Sequence, residues 1–246
     1  MSATSFRKRR LRRGWWKSLL NDLLLWLVLF FFFIPVLWII LTSVRIRSEI
    51  NAHPPVWIPT GFSLDSYKIL FGMPTPEGAF GMGGSIPVAE YARNSIVIAL
   101  VSTFFALIFG TLAGYVFSRF RFRGKNGIYL GMMLARAIPG IALSLPLFIV
   151  YARTGLSDTI PGMIITYVAL NIPFTAWLMD GFFRAIPKEL DEAARIDGCS
   201  AWGAFLRVDL PLALPGAAAA GIFAFLTSWN EFALASIITR TPASRT

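Results

Sequence analysis

Cysteine and histidine are almost absent from this chain of 246 residues, which contains only Cys199 and His53. A single cysteine excludes an internal disulfide and a cysteine-based metal site. A metal site needs several donors, so we interpret His53 as an ordinary residue of a proline-rich loop. Clustered side chains for acid/base, metal or redox chemistry are missing too. We therefore predict no catalytic residues, no metal ligands and no enzyme activity.

Charge is also scarce, since only 15% of the residues are charged and 56% are hydrophobic. A soluble domain of this size could not cover its core with so few polar side chains, which predicts a polytopic membrane protein. The formal net charge of +10 could suggest nucleic acid. However, the basic residues form short clusters beside apolar runs, as cations do at a lipid surface. We expect contact with membrane lipid and none with nucleic acid.

Long apolar runs are abundant, and five of them reach the roughly 20 residues that cross a bilayer as a helix. We predict spans at residues 23–44, 94–117, 127–151, 160–183 and 211–234. The fold class is therefore all-α, a polytopic transmembrane helical bundle. The remaining segments are a basic tail (1–22), loops (45–93, 118–126, 152–159 and 184–210) and a C-terminal tail (235–246).

The distribution of lysine and arginine predicts the orientation of these spans. Fifteen of them lie in the tail 1–22 and the loops 118–126 and 184–210, and seven lie on the opposite side. The richer side faces the cytoplasm, so the N-terminus is predicted to be cytoplasmic. Loop 45–93 is then external and, being rich in Gly and Pro, mostly irregular. Five spans place the C-terminus outside, which leaves open a fragment or a shortened relative of a six-span protein.

The loop 184–210 contains a short acidic helix that should follow Pro187. Proline suits the first turn of a helix, and carboxylates such as Glu189 suit the positive end of its dipole. Leu190, Ala193 and Ala194 share one face, and the alanines allow close approach by a partner. Gly198 should end the helix in a left-handed conformation.

A second short helix is predicted after Ser200, whose hydroxyl can cap it. Its apolar face holds Trp202, Phe205 and Leu206, and Pro211 begins the next span. The pattern predicts a helix-turn-helix elbow on the cytoplasmic face. A solvated connector would not need Trp, Phe and Leu beside two alanines, so we favour an elbow onto which another protein docks.

These residues resemble a known motif. Glu192-Ala193-Ala194, then Gly198 and then Val208-x-Leu210-Pro211 resemble the coupling loop of ABC importer permeases. Residues 186–198 resemble the carbohydrate-importer branch, in particular its maltose-permease-G-like subunits. Further resemblances lie in order along the chain, at residues 94–95, 119–124, 138–140, 155–159 and 229–232.

The resemblance implies a type I ABC importer permease of a bacterial or archaeal cytoplasmic (inner) membrane. It implies a second, homologous permease subunit, two cytoplasmic ATP-binding subunits and an external solute-binding protein. This chain has no glycine-rich phosphate loop, so ATP and Mg should be bound by the ATPase partner and no cofactor by this chain. The family generally has a sixth span, which is apparently missing here. The residues expected to couple to the ATPase are Leu190, Glu192, Ala193, Ala194, Asp197, Gly198, Trp202 and Phe205.

Polar groups inside the spans are the candidates for a solute pathway, because they are costly in lipid and usually face a cavity or a partner. Arg136 could line the pathway, satisfy carbonyls freed by Pro139 and Pro146, or pair with a carboxylate of another subunit. Asn171 could bind sugar hydroxyls or bond a neighbouring helix. Asn230 is the third candidate. The sequence does not distinguish sugars from polyols, and an autonomous channel or secondary carrier is the alternative function.

Overall fold

The computed structural model of the protein describes residues 3–50, 52–71, 73 and 87–246, with residues 3–14 and 47 described by their backbone only. The chain divides into two units, residues 1–86 and 87–246. In the N-terminal unit, α1 spans Ala3–Ser43, α2 spans Arg47–Ile50 and α3 spans Asp65–Leu70. Helix α1 contains residues 23–43 of the first predicted span and also most of the predicted basic tail. Neither Gly14 nor Pro35 ends the helix.

Polar contacts fix the part of the N-terminal unit that follows α1. The Arg45 guanidinium lies 4.7 Å from the centre of the Trp38 ring and donates a 2.6 Å hydrogen bond to the Trp57 carbonyl. The Glu49 carboxylate accepts from the Thr60 backbone N–H at 3.0 Å. Some of the loop predicted to be irregular is therefore ordered by side chains. Its glycine-rich stretch at residues 81–84 lies outside the described residues.

The C-terminal unit is built of helices. The elements, in chain order, are α4 (Val88–Arg119), α5 (Lys125–Ala137), α6 (Gly140–Thr154), α7 (Ile160–Ala185), α8 (Lys188–Ile196), α9 (Ala201–Ala204), a π-helical turn (Phe205–Asp209), α10 (Leu210–Leu212), α11 (Leu214–Trp229) and α12 (Ala233–Ile238). Three helices of the described chain are long and apolar enough to cross a membrane, or five if each of two bent pairs is one span. The all-α fold predicted from the sequence is confirmed.

Small residues hold α4, α7 and α11 close together. A side chain at Gly114 of α4 would come within 2.8 Å of the Ala176 carbonyl oxygen of α7. A side chain at Gly216 of α11 would likewise clash with the Phe182 ring of α7. Lipid offers no hydrophobic drive between helices, so close backbone approach is what stabilises such contacts.

Two predicted spans are not single helices. Residues 127–151 form α5 and α6, which meet at 97°. Pro139 lacks the N–H that would bond back to Ala135, and its ring excludes that carbonyl, so the helix stops. The predicted span 211–234 is likewise interrupted. The segment Ala201–Leu212 meets α11 at 73° across Ala213, Pro215 lies in the first turn of α11, and α11 ends at Trp229.

Candidate functional site: the elbow between α7 and α11

The elbow is the segment 187–211, and its first arm is α8. The sequence predicted Pro187 in the first turn of this helix. In the structure Pro187 has a ψ of 135° and is the residue just before α8. Asp191 and Ala194 form the buried face of α8, and Asp191 pairs with Arg195 at 3.1 Å. The prediction that Ala194 shares one face with Leu190 and Ala193 is therefore wrong. The opposite face is exposed and carries Leu190, Glu192, Ala193, Ile196 and Asp197.

Gly198 makes the bend. Its φ of +93° is left-handed, as the sequence predicted. The Gly198 N–H donates to the Arg195 carbonyl at 3.1 Å, and the Cys199 N–H donates to the Ala194 carbonyl at 2.9 Å. These two bonds satisfy carbonyls that the end of α8 would leave free, in the usual manner of a glycine-terminated helix.

Ser200 begins the second arm. Its hydroxyl accepts from the Gly203 N–H at 3.1 Å and so caps α9. Trp202 of α9 is 56% exposed. Phe205 is only 2% exposed and packs against Tyr115 of α4, with ring centres 4.6 Å apart and ring planes tilted by 50°.

The position of Phe205 corrects the sequence interpretation, which put it on the docking face with Trp202. Phe205 follows Trp202 by three residues and lies on the side of the second arm that faces α4, with its ring centre 5.1 Å from that of Trp202. The apolar side chain that shares the surface with Trp202 is Leu206. Phe205 therefore holds the elbow against α4 and α7 and does not lie on its surface.

The base of the elbow is closed by an ion pair. The Arg119 guanidinium, at the end of α4, bonds the Asp209 carboxylate at 2.6 Å through Nη2. Its Nη1 donates to the Ile186 carbonyl at 3.1 Å. The two charged side chains are 5% and 0% exposed. Sequence reasoning missed this pair, because it took Arg119 for one of several loop cations and gave Asp209 no role. The available signal was the aspartate in the mostly apolar segment 205–214, whose other charged residue is Arg207.

The three candidates for a solute pathway occupy different surroundings. Asn171 is buried and donates to the Tyr167 carbonyl at 2.9 Å and to the Ser228 hydroxyl at 3.0 Å. Arg136 lies 4.3 Å from the centre of the Phe174 ring. Asn230 lines a cavity of about 120 Å³ between α4, α7 and the end of α11.

That cavity is bounded by polar groups on one side. Ser95, Trp229 and Glu231 line it together with Asn230. Glu231 also accepts from the Tyr167 hydroxyl at 3.2 Å and from the Leu234 N–H at 3.0 Å, which caps α12. Both asparagine amides donate to a backbone carbonyl, Asn230 to that of Leu226 at 2.9 Å and Asn171 to that of Tyr167, but only Asn230 lines this cavity.

The family follows from comparison with known proteins. Residues 106–246, which include the whole elbow, match the family described as binding-protein-dependent transport system inner membrane component. The chain belongs to this family, and it is a membrane component of a transport system.

Three relatives show the degree of similarity. The chain is 35% identical over 213 residues to the diacetylchitobiose uptake system permease protein NgcG of Streptomyces coelicolor, covering 86% of this chain and 65% of that one. It is 34% identical to the trehalose transport system permease protein SugB of Mycobacterium tuberculosis, covering 89% and 75%. It is 31% identical to the sulfoquinovosyl glycerol transport system permease protein SmoH of Agrobacterium fabrum, covering 86% and 70%.

A solved structure shares the fold. It is the crystal structure of a bacterial ABC transporter involved in the import of the acidic polysaccharide alginate, with a TM-score of 0.71 and 22% sequence identity. The match covers 92% of this chain and 75% of that chain. The bent helices around α4 and α7 therefore share their fold with a chain of that transporter.

Proposed function

We propose that the chain is the permease subunit of an ATP-driven, binding-protein-dependent importer of a sugar or a related polyol. Support comes from the three relatives, whose names describe permease proteins for diacetylchitobiose, trehalose and sulfoquinovosyl glycerol. Each of these solutes is a sugar or a glycoside. The matched region spans 65–75% of those relatives, so activity and solute are proposed by similarity.

The observation that carries the coupling role is the exposed surface of the elbow. Ile196 is 87% exposed, and Leu190, Trp202 and Leu206 are exposed with it, in a segment that also displays Glu192 and Asp197. Lipid cannot cover a surface that mixes these carboxylates with apolar groups, because ionised side chains are costly in hydrocarbon. A groove on another protein can accommodate both the carboxylates and the apolar side chains. We therefore propose that an ATP-binding subunit binds this surface of the elbow.

The other partners follow from the same proposal. Two cytoplasmic subunits bind ATP and Mg, a second permease completes the pathway, and an external protein delivers the solute. The elbow and the N-terminus then lie on the cytoplasmic side of a bacterial or archaeal inner membrane. An autonomous channel or secondary carrier, the alternative, would not need this docking surface.

For the solute pathway we propose Asn230 and not Asn171 or Arg136. Asn230 lines a cavity with other polar groups, although its amide also donates to the Leu226 carbonyl, whereas Asn171 and Arg136 do not line that cavity and contact Ser228 and the Phe174 ring. The role of Asn171 is then to join α7 to α11, and that of Arg136 to brace the break after α5.

The test is co-purification of the ATP-binding subunits with variants of the elbow surface. Ile196→Ser should lose them, because a fully buried isoleucine contributes about 1.5–3 kcal/mol to an interface. Ile58→Ser is the matched control, since Ile58 is 81% exposed and lies in the loop predicted to be external. Uptake by the chain without ATP-binding subunits, or unchanged co-purification of Ile196→Ser, would favour the channel or carrier.

A further inference from the structure

The ion pair at the base of the elbow differs from the other ion pairs of the described chain. Those three, Asp65–Lys68, Asp180–Arg184 and Asp191–Arg195, each join residues three or four positions apart on one helix. Arg119 and Asp209 belong to separate elements, 90 positions apart in sequence. Their side chains are almost completely buried, whereas Arg184 and Arg195 are about half exposed.

One guanidinium also touches both ends of the elbow. The Ile186 carbonyl is where α7 ends and the elbow begins, and the Asp209 carboxylate is where the π-helical turn ends. Arg119 donates to both, at 3.1 Å and 2.6 Å. Its planar fork fixes the directions of these two bonds, which the single ammonium of a lysine cannot do. The elbow is therefore a closed loop whose two ends cannot spread apart without breaking the pair.

This closure has a mechanical consequence. The connection from α7 to α8 is a non-helical joint at Ile186 and Pro187, where ψ is 124 and 135. A force on the tip of the elbow could bend that joint and leave the spans unmoved. Because Arg119 is the last residue of α4, the pair transfers the load to α4 as well as to α7 and α11.

Stability is a weak reason for such a pair. Removing two charges from water costs about as much as their attraction returns, and the well-supported use of buried ionic groups is to fix one geometry. We propose that Arg119 and Asp209 are positioning residues that make the elbow a rigid lever, so that movement of the ATP-binding subunits is passed to the spans. This rests on the proposed importer function.

The experiment uses the complete transporter in liposomes, with its ATP-binding subunits, second permease and binding protein. The measured quantity is solute taken up per ATP hydrolysed. Arg119→Lys and Asp209→Asn should lower this ratio about five-fold or more, the lower end of typical coupling between sites, while the ATP-binding subunits still co-purify. Arg184→Gln, which removes a pair within α7 whose arginine is about half exposed, is the matched control and should keep the wild-type ratio.

A second readout separates a lever from a merely structural contact. Cys199 is the one cysteine of the chain and lies at the bend of the elbow. A nitroxide on its thiol, attached and measured before the ATP-binding subunits are added, should become more mobile in Arg119→Lys and stay unchanged in Arg184→Gln. An unchanged ratio with unchanged mobility in Arg119→Lys would overturn the proposal.

The remaining outcomes are also decisive. If a single variant is lost from the membrane, the double variant Arg119→Gln/Asp209→Asn is assayed in its stead. The double variant removes both charges and so leaves no unpaired charge buried. Normal coupling by that double variant, or its loss from the membrane as well, would show that the pair has no specific coupling role. Failure of the proposed importer function would look different, because the wild-type transporter itself would then show no ATP-dependent uptake.

Discussion

Replacing Gly198 tests the elbow most sharply, because the structure isolates a single physical effect. A Cβ added at Gly198 would meet no atom within 4 Å, so alanine creates no clash. The φ of +93° is the only obstacle. A left-handed conformation costs an L-residue about 1–2 kcal/mol. Alanine also lowers the conformational entropy of the unfolded chain, which stabilises the folded state by about 0.4–1 kcal/mol. Gly198→Ala should therefore destabilise the protein by about 0.5–1 kcal/mol.

Gly181 provides the control for this substitution. It too has open space around its Cβ position, but it lies within α7 in helical conformation. Gly181→Ala should stabilise the helix by about 0.5–1 kcal/mol. Thermal unfolding in detergent should therefore move in opposite directions for the two variants.

Tryptophan at position 198 then separates folding from docking. Within this subunit the Cβ of Trp meets the same open space and the same backbone strain as that of Ala. Because Gly198 is exposed, we assign any further loss of uptake in Gly198→Trp to contact of the indole with another subunit. We expect ATP-dependent uptake to survive in Gly198→Ala and to fail in Gly198→Trp, with normal insertion into the membrane. Equal uptake by the two variants would refute the reasoning.

Three further predictions follow from single contacts. Glu192→Lys should weaken co-purification of the ATP-binding subunits, whereas Glu90→Lys, the same charge change at the far end of α4, should not; equal effects would contradict docking on α8. Ser200→Ala should cost about 1 kcal/mol of stability, measured by thermal unfolding, because the Gly203 N–H loses its cap; no change would contradict the capping role. The hydroxyl of Ser244 and the backbone N–H groups of Thr241 and Arg240 lower the pKa of Asp158 well below its usual range. Its stabilising contribution is therefore complete above about pH 4 and lost as the pH falls further, so Asp158→Asn should unfold at lower temperature than wild type at pH 7, with a smaller difference below pH 4.

Local signals made the elbow predictable. Glycine after an acidic helix and serine before an apolar one each specify a backbone conformation within a few residues. The left-handed Gly198 and the cap of Ser200 were accordingly read correctly from the sequence. The roles of Glu192, Ala193 and the other exposed residues remain predictions, because partners decide them.

The missed features depend on direction and on distant contacts. Hydropathy measures how apolar a segment is and not where it points, so the 97° bend at Pro139 was not predicted. Phe205 lies on the side of the second arm that faces α4, and the sequence spacing alone did not distinguish that side from the exposed one. Arg119 and Asp209 meet only once α4 and the elbow are packed together, and nothing near either residue in sequence indicates its partner.

The central claim is that residues 187–211 project into the cytoplasm and bind an ATP-binding subunit. The native thiol of Cys199 measures this directly, because it is the only cysteine and is partly exposed at the bend. A membrane-impermeant maleimide should label Cys199 in inside-out vesicles and should not label it in intact cells. The presence of the ATP-binding subunits should block the labelling in inside-out vesicles. Labelling from the outside of intact cells would contradict the account.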